Sequence, residues 1–244
     1  MGAQVAGLVE QFKAEASRAG AVVYEASTVE DANNYVLKLA QERDVKNAVK
    51  SKSEVADEIK LRKHLENAGI EVKEADLNEW ITQLAGEKPT GRKTIKQVAK
   101  LISKATGKKL APDPRVLLNA ANRAIRQYCI DADMGISEAD VAISETGTLV
   151  IVGNEGVTRL VAVLPRIHVT LVRCQNVVSV MEDVITKFKS LKGDIAGQVV
   201  LGYVTYITGR NTTADIPGVV LARAQGPVEE HIIVMNKAAR RDSA

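Results

Sequence analysis

The hydrophobic positions in the N-terminal third of the chain switch repeatedly between a helical and a strand spacing. From Val5 to Ala16 they recur at i, i+3, i+4 and i+7, which predicts an amphipathic helix that ends near Gly20. Short apolar runs at 21–24, 47–49 and 70–72 predict strands, and helical spacing at 28–40 and 53–69 fills the gaps. Strands and helices in this order indicate right-handed parallel crossovers.

The rest of the chain continues the alternation. Helical patterns over 77–110 are interrupted by a turn-rich stretch at 86–91, and Asp113-Pro114 opens a long helix. Further strands are predicted at 141–143, 149–152, 167–172, 199–206 and 228–235, with a helix over 178–191. We therefore predict an α/β fold, a mostly parallel central sheet flanked by helices. Its organisation is predicted as one domain, 1–244, with a helical insertion near 77–112.

Composition and charge exclude several classes of protein. Aromatic residues make up 3% of the chain and hydrophobic residues 45%, which favours an aliphatic core such as a buried parallel sheet. The formal net charge is +3, with basic and acidic residues interspersed, which disfavours a nucleic-acid binder. The N-terminus lacks the pattern of a secretory signal, and no apolar stretch approaches the length of about 20 residues that a membrane span requires. We expect a cytoplasmic protein that does not cross a membrane.

Cysteine and histidine content disfavours a metal site. Cys129 and Cys174 both lie in apolar runs, as buried reduced thiols do, and two cysteines cannot supply the thiolates of an iron–sulfur cluster. The histidines are scattered, and His168 lies inside a predicted strand, where a structural histidine is the favoured interpretation. We predict no metal site and no cofactor on this chain.

Three polar segments interrupt the aliphatic pattern, each in a position suited to a loop at the carboxyl end of a strand, where α/β proteins bind ligands. The first comprises Lys50, Ser51, Lys52 and Ser53, between a strand and a helix. Lysines and hydroxyls at a helix N-terminus favour an anion. The alternative is a capped helix start with solvated lysines.

The second segment consists of two turn-forming stretches on either side of an apolar strand. It comprises Glu145, Thr146, Gly147 and Thr148, followed by Asn154, Glu155, Gly156 and Arg159. The glycines permit close approach of the backbone to a ligand, and Asn154 and Arg159 can orient a carboxylate or phosphate. Glu145 is the candidate catalytic group, because a carboxylate between two apolar strands must be paired or used. A hairpin is expected in either case, and the alternative is that the hairpin and the following helix cap are purely structural.

The third segment, 208–218, follows an apolar strand and is rich in hydrogen-bond donors. Its candidate ligand-binding residues are Gly209, Arg210, Thr213 and Asp215. No dinucleotide fingerprint, phosphate-binding loop or catalytic triad is visible along the chain. The residues alone thus predict an anion pocket without a named reaction.

The ordered strings ISEADVAISETGTLVIVGNEGVTRLVAVLPRIHVTLV, TGRNTTADI and GPVEEHIIVMN resemble the lactate-utilization (LUD) domain family. The stretch VKSKSEVADEIKLRKHLENAGIEVKEADLNEWITQLAGEKP is similar to the LUD domain of the iron–sulfur subunit of the lactate-utilization complex. The resemblance implies a fold of the NagB/RpiA/CoA-transferase group and places ligand contacts in the three segments. Where many relatives read GPSRTADI, this chain reads GRNTTADI, so its arginine, Arg210, stands at a different position.

The resemblance also implies a function. It indicates a subunit of an L-lactate dehydrogenase system that binds a small anionic metabolite and works with a separate iron–sulfur or flavin redox protein. The iron–sulfur cluster is expected on that partner only. Two alternatives are a self-sufficient isomerase- or CoA-transferase-like enzyme that uses Glu145, and a metabolite-sensing module. A homo-oligomer is left open.

Overall fold

The computed structural model describes residues 3–86, 93–153, 156–192, 203–210, 212–216, 219–222 and 226–236. The helices are α1 (Ala3–Arg18), α2 (Val29–Glu42), α3 (Glu54–Glu58), α4 (Leu61–Asn67), α5 (Leu77–Ala85), α6 (Ile95–Thr106), α7 (Pro114–Asp131), α8 (Val157–Val163) and α9 (Asp183–Lys192). The strands are β1 (Val22–Ala26), β2 (Asn47–Lys50), β3 (Glu71–Glu74), β4 (Met134–Glu138), β5 (Val141–Ile143), β6 (Thr148–Gly153), β7 (Ile167–Arg173), β8 (Val177–Val178), β9 (Tyr203–Ile207), β10 (Thr212–Ile216), β11 (Val219–Ala222) and β12 (Glu229–Met235).

Six strands of the described residues form one parallel sheet in the order β1-β12-β7-β4-β2-β3. Its central strand β7 is buried from Ile167 to Val172, as expected for a sheet covered on both faces. The predicted mostly parallel central sheet flanked by helices is thereby confirmed.

Helices cover both faces of this main sheet. On the front face, α2, α3 and α4 pack Val36, Val55 and Leu65 against strand residues such as Ile136 and Leu171. The back face is covered by α1, α7 and α8.

Strand β4 and α8 approach each other closely on the back face. A Cβ at Gly135 would overlap the carbonyl oxygen of Val161, so only glycine permits this contact.

A second sheet of the described residues, in the order β8-β5-β6-β9, lies beyond α1. Phe12 of α1 shares one apolar cluster with Leu149 of this sheet and Ile232 of the main sheet, so α1 packs between the two. The predicted hairpin is confirmed, since β5 and β6 pair antiparallel. Strands β10 and β11 form a separate antiparallel pair.

Helices α5 and α6 lie in the region predicted as a helical insertion. They pack against α7 through Trp80, Ile102 and Leu117, and Trp80 contacts the Tyr128 ring edge-on at a centroid distance of 6.0 Å. Thr94 caps α6 and Asp113 caps α7, as the sequence pattern indicates. The assignment of a single domain stays a prediction.

Three predicted elements differ from the structure. The helix predicted over 53–69 is two helices, because Lys60 adopts a left-handed conformation with φ 54°. The helix predicted from 178 begins at Asp183, since Val178 pairs with Ile143 in the second sheet. The polar segment at 208–218 is not one loop, because Thr212–Ile216 form strand β10. Of the strand predicted at 199–206, residues 199–202 lie outside the described chain.

Candidate functional site

The order of the parallel strands places a topological switch point between β2 and β4. From β2 the chain crosses the front face to β3, whereas from β4 it proceeds in the opposite direction along the sheet to β7 and β12. Opposite crossovers leave the carboxyl ends of two neighbouring strands uncovered between them, and ligands of α/β proteins bind there. The polar groups at these strand ends are therefore the candidate site.

A row of alternating charge lies along this carboxyl edge. Arg173, Glu138, Lys50 and Glu74 are the last residues of the neighbouring strands β7, β4, β2 and β3. Side chains alternate between the two faces of a strand, so each residue shares a face with the residue two positions earlier. Those earlier residues all belong to the front apolar cluster: Leu171, Ile136, Ala48 and Val72. We call the four terminal residues the edge row.

Lys50 and Glu74 form the buried half of the edge row. The Lys50 ammonium lies 3.0 Å from Glu74 Oε2 and 3.1 Å from Asp57 Oδ1, and the side chains of Lys50 and Glu74 are 1% and 4% exposed. Burial raises the pKa of the Glu74 carboxyl, while the charge of Lys50 acts in the opposite direction. The pair is a fixed part of the site, since removing either partner would leave a buried charge unpaired.

Glu138 receives its hydrogen bonds from the start of α3. The Ser53 hydroxyl donates to Glu138 Oε2 at 2.8 Å and the Val55 N–H donates to the same oxygen at 2.9 Å. Burial raises the pKa of this carboxyl, whereas both donors act in the opposite direction. Glu138 Oε1 accepts no hydrogen bond from any residue that the structure describes. The carboxylate thus presents one free oxygen at the switch point.

Arg173 is the most accessible cation of the edge row. Its guanidinium donates to Glu58 Oε1 at 2.7 Å, and the side chains of Arg173 and Glu58 are 12% and 41% exposed. Burial lowers the pKa of Arg173, but the hydrogen bond and charge of Glu58 and the charge of Glu138 outweigh this effect, so the pKa is raised. Arg173 remains fully charged and has further N–H donors for a ligand.

The first predicted segment, Lys50–Ser53, lies at this switch point. Ser53 caps α3, with its hydroxyl accepting from the Ala56 N–H at 2.9 Å, and Lys52 is exposed. Ser51 Oγ is buried and has no hydrogen-bond partner within the described chain. The anion that the α3 start holds is the protein's own Glu138 carboxylate. Ligand binding by these four residues stays a prediction.

The second predicted segment lies elsewhere, at the turn between β5 and β6. Gly147, with φ 65°, abuts the backbone of Ala16, so the close approach that it permits is to the end of α1. Thr146 and Thr148 share a hydrogen bond of 2.7 Å between their hydroxyls. Glu145 is exposed, which removes the argument from burial for its catalytic role. That role stays a prediction.

The remaining residues of this segment are at the start of α8. Gly156 is its N-cap, with φ 67°, and Arg159 is exposed on the helix. Asn154 and Glu155 lie outside the described residues. The contacts of the turn run to α1 rather than to the edge row, and no hydrogen bond or ion pair of the described chain joins the two places.

The third predicted segment packs beside the second. Thr208 and Thr148 hydroxyls lie 2.8 Å apart, Gly209 abuts the carbonyl oxygen of Ala19, and the exposed Arg210 side chain covers Gly20. Thr213 and Asp215 belong to β10, and their side chains lie outside what the structure describes. Both segments follow strands of the second sheet and not of the parallel main sheet, so the expectation that all three would meet at the carboxyl edge of a parallel sheet is wrong.

Ser137, His168 and Glu230 have the hydrogen-bonding order of a catalytic triad. Ser137 Oγ lies 2.8 Å from His168 Nε2, and His168 Nδ1 lies 2.8 Å from Glu230 Oε2. All three side chains, on β4, β7 and β12, are at most 1% exposed. A substrate cannot reach a serine in this position. His168 is buried and both of its ring nitrogens have partners, as the structural interpretation predicts.

Sequence reasoning missed Glu74, Glu138 and Arg173 as site residues. The available signal was clear only for Arg173, which closes the apolar run IHVTLVR, whereas Glu74 and Glu138 end the short mixed stretches EVKE and MGISE. A charged residue at the end of a buried strand marks the sheet edge. Which of these ends are neighbours depends on the strand order, which a local pattern does not contain.

The two cysteine thiols are buried. Burial raises the pKa of Cys129 to about 12, and the Cys174 thiol donates to the Asn236 carbonyl oxygen at 3.2 Å. Within the described chain there is no group of three or more His, Cys, Asp or Glu side chains that can hold a metal ion. No helix of the same residues is long and apolar enough to cross a lipid bilayer.

Comparison with known proteins gives a family and several relatives. The LUD domain family model matches residues 9–235. Lactate utilization protein B of Shouchella clausii is 30% identical over 235 residues, which cover 93% of this chain and 48% of the relative. Lactate utilization protein B of a Geobacillus species is 31% identical, with coverages of 93% and 47%. The uncharacterized electron transport protein YkgF of Escherichia coli is 29% identical, with the same two coverages of 93% and 47%.

The chain therefore spans about half the length of the curated relatives that it matches. A solved structure, that of a DUF162 family protein from Deinococcus radiodurans, matches with a TM-score of 0.52 and 14% identity. The match covers 95% of this chain and 98% of that chain. At this identity the likeness concerns the fold.

Proposed function

The chain belongs to the LUD domain family, and from this membership we propose that it is a component of a system that oxidises L-lactate or a related 2-hydroxy acid. The observation that carries the proposal is the similarity, over 93% of the chain, to proteins named lactate utilization protein B. The edge row at the switch point is suited to a small hydroxy acid, because Arg173 can hold its carboxylate and the free oxygen of Glu138 can accept a hydrogen bond from its hydroxyl.

In this proposal the redox centre resides on a separate iron–sulfur or flavin protein. Oxidation of a 2-hydroxy acid to a 2-oxo acid releases two electrons and two protons, which need an acceptor. The chain has two cysteines, and both are buried, so its own thiols do not assemble a cluster. The naming of YkgF as an electron transport protein supports a role beside an electron carrier.

The test is an anaerobic affinity purification of the tagged protein from its native cells. We would measure iron and sulfide in the eluate, identify co-purifying chains, and follow L-lactate-dependent dye reduction. Iron, a cysteine-rich partner and lactate-driven reduction are expected together. An iron-free protein without lactate activity, even after addition of the cell extract, would contradict the proposal.

Two variants decide which carboxylate matters for this activity. Glu138→Gln removes the charge at the switch point, and Glu145→Gln removes it at the hairpin turn. We expect Glu138→Gln to lower lactate-dependent reduction. Loss of activity in Glu145→Gln alone would instead move the site to the turn and favour the isomerase- or transferase-like alternative.

A further inference from the structure

Glu58 and Arg173 form a partly solvated ion pair of the charged cluster at the switch point. Glu58 lies on α3, which has 5 residues and ends just before the left-handed Lys60. Its side chain is 41% exposed, so water screens its ion pair with Arg173 from the Glu58 side. Lys50, by contrast, is held by the buried Glu74. A carboxylate from solution can therefore replace Glu58 on Arg173 at small cost.

Arg173 has unused capacity for such a carboxylate. A guanidinium presents several N–H donors in a planar fork that fits a carboxylate through two parallel hydrogen bonds. Among the described residues, Arg173 donates one side-chain hydrogen bond, through Nη2 to Glu58. Replacing that single bond by a bidentate one is a net gain for a ligand.

Glu138 supplies the second contact next to Arg173. Both side chains lie on the front face at the carboxyl ends of the adjacent strands β4 and β7. Both hydrogen bonds that Glu138 accepts end on Oε2, which leaves Oε1 for a donor from the ligand. A hydroxyl on the carbon next to a bound carboxylate is such a donor.

The acidic groups around the site disfavour a second carboxylate on the ligand. Asp57 and Glu58 line the site from α3, and Glu74 and Glu138 line it from the sheet. A second carboxylate on the ligand would face these acidic groups without a free cation of the edge row, because Lys50 is already held by Glu74 and Asp57.

We propose that the switch point binds a short 2-hydroxy monocarboxylate by carboxylate exchange: the ligand carboxylate displaces Glu58 from Arg173, and its hydroxyl donates to Glu138. This inference rests on the proposed function and deepens it. Glu58 acts as the internal occupant of the ligand site. It competes with the ligand, so the two members of one ion pair have opposite effects on binding.

The test is calorimetric titration of the full chain with L-lactate, propionate and L-malate. Arg173→Gln is expected to weaken L-lactate binding at least about tenfold, because the carboxylate anchor is lost. Glu58→Gln is expected to tighten it by about threefold or more, because the competitor loses its charge. Propionate, which lacks the hydroxyl, and L-malate, which carries a second carboxylate, are expected to bind more weakly than L-lactate.

The matched control is an Arg–Glu pair at the amino end of the same sheet. Arg43 Nε lies 2.8 Å from Glu229 Oε1, and Arg43→Gln and Glu229→Gln are expected to leave lactate affinity unchanged. If both Arg173→Gln and Glu58→Gln weaken binding, or neither changes it, the exchange inference is wrong while the proposed function stands. If the unaltered chain binds none of the three acids and its purified complex lacks lactate-dependent reduction, both fail. Glu58→Gln, on a solvent-exposed site, keeps the test decisive should Arg173→Gln not fold.

Discussion

Glu138 is a largely buried carboxylate and also a residue of the proposed ligand site. Its carboxyl ends a buried strand, and burial holds its pKa above the ordinary value of 4.5 in the folded state. A group of this kind stabilises the fold most below its unfolded pKa, and that contribution is lost as pH rises through the higher folded pKa. Ionisation of this carboxyl therefore costs the folded chain stability, as it does for many groups placed for ligand binding.

The pH dependence of stability tests this interpretation. Glu138→Gln keeps an oxygen acceptor for Ser53 and Val55 but removes the charge. We expect the unaltered protein to lose stability relative to Glu138→Gln when pH rises from 4.5 to 7, measured by urea denaturation at both pH values.

Glu25 is the control with the opposite sign. The hydrogen bonds of Lys13 and Asn236 lower the pKa of the Glu25 carboxyl. Its contribution is present above the unfolded pKa and is lost as pH falls through the lower folded pKa. The difference between the unaltered protein and Glu25→Gln should therefore shrink on acidification, and identical trends for Glu25→Gln and Glu138→Gln would contradict both assignments.

Gly135 shows how one missing methyl group sets a packing distance. A Cβ there would overlap the Val161 carbonyl of α8, which is backbone and cannot rotate away. We expect Gly135→Ala to destabilise the fold by about 1–3 kcal/mol. Gly7, on the exposed side of α1, has open space around it, and Gly7→Ala should stabilise by about 0.5–1 kcal/mol. Urea denaturation of both variants checks the pair, and equal effects would rule out a steric cause.

At the scale of elements, a buried polar chain ties the three central strands together. Ser137 of β4, His168 of β7 and Glu230 of β12 bond in sequence, and Thr170 donates to Glu230 Oε1 at 3.2 Å. Each of these groups forms a hydrogen bond with another, at a depth where water cannot serve as the partner. The chain fixes the register of β4, β7 and β12, since a slip would leave several buried groups unpaired.

Adjacent residues of β12 provide the test of this role. Glu230→Ala leaves His168 Nδ1 and Thr170 Oγ1 without their acceptor, and we expect a loss of about 2–4 kcal/mol in the free energy of unfolding. Glu229→Ala removes the neighbouring carboxylate, which pairs with Arg43 at the sheet edge, and should cost about 1 kcal/mol or less. Comparable losses in the two variants would show that the buried hydrogen-bond network contributes no more to the free energy of unfolding than the Arg43–Glu229 pair.

The elements differ in how far the sequence predicts them. Strands β7 and β12 follow directly from apolar runs, and Ser53, Thr94 and Asp113 mark helix starts because their caps are local. Strand β4 was not predicted, since Gly135 and Ser137 give it the composition of a turn. Gly135 allows the close contact with α8, and Ser137 is hydrogen-bonded to His168; both partners are distant in sequence. Tertiary contacts thus override the local pattern.

The residues of the candidate site also differ in how far the sequence predicts them. Lys50–Ser53 were predicted because a polar string follows an apolar run. Glu138 and Arg173 look like solvated charges until the strand order makes them neighbours. Gly147 was assigned to a ligand because its glycine indicates close approach, and the structure shows that α1 is the group approached. A glycine in the sequence indicates a close approach to the backbone but does not identify the group that approaches.

For the whole molecule, the two edges of the main sheet differ in how fully their polar groups are hydrogen-bonded. At the amino edge, Glu229 pairs with Arg43, and His231 Nδ1 lies 2.9 Å from the Tyr35 hydroxyl, so these groups satisfy one another. At the carboxyl edge, Glu138 keeps a free oxygen and Arg173 keeps free donors. The groups of that edge come from positions 50, 74, 138 and 173, so they meet only when the complete sheet has formed.

A ligand held by such an edge binds the native state and not the unfolded chain, so it stabilises the whole molecule. At a concentration of L-lactate about 100 times its Kd, the free energy of unfolding should rise by about 2.7 kcal/mol. The urea midpoint of the unaltered protein should therefore increase with L-lactate, more so for Glu58→Gln at the same concentration, and by clearly less for Arg173→Gln, because its Kd is higher. An equal shift in Arg173→Gln would show that lactate acts as a cosolute, or binds away from the edge row, because only the direct contact with Arg173 distinguishes that variant.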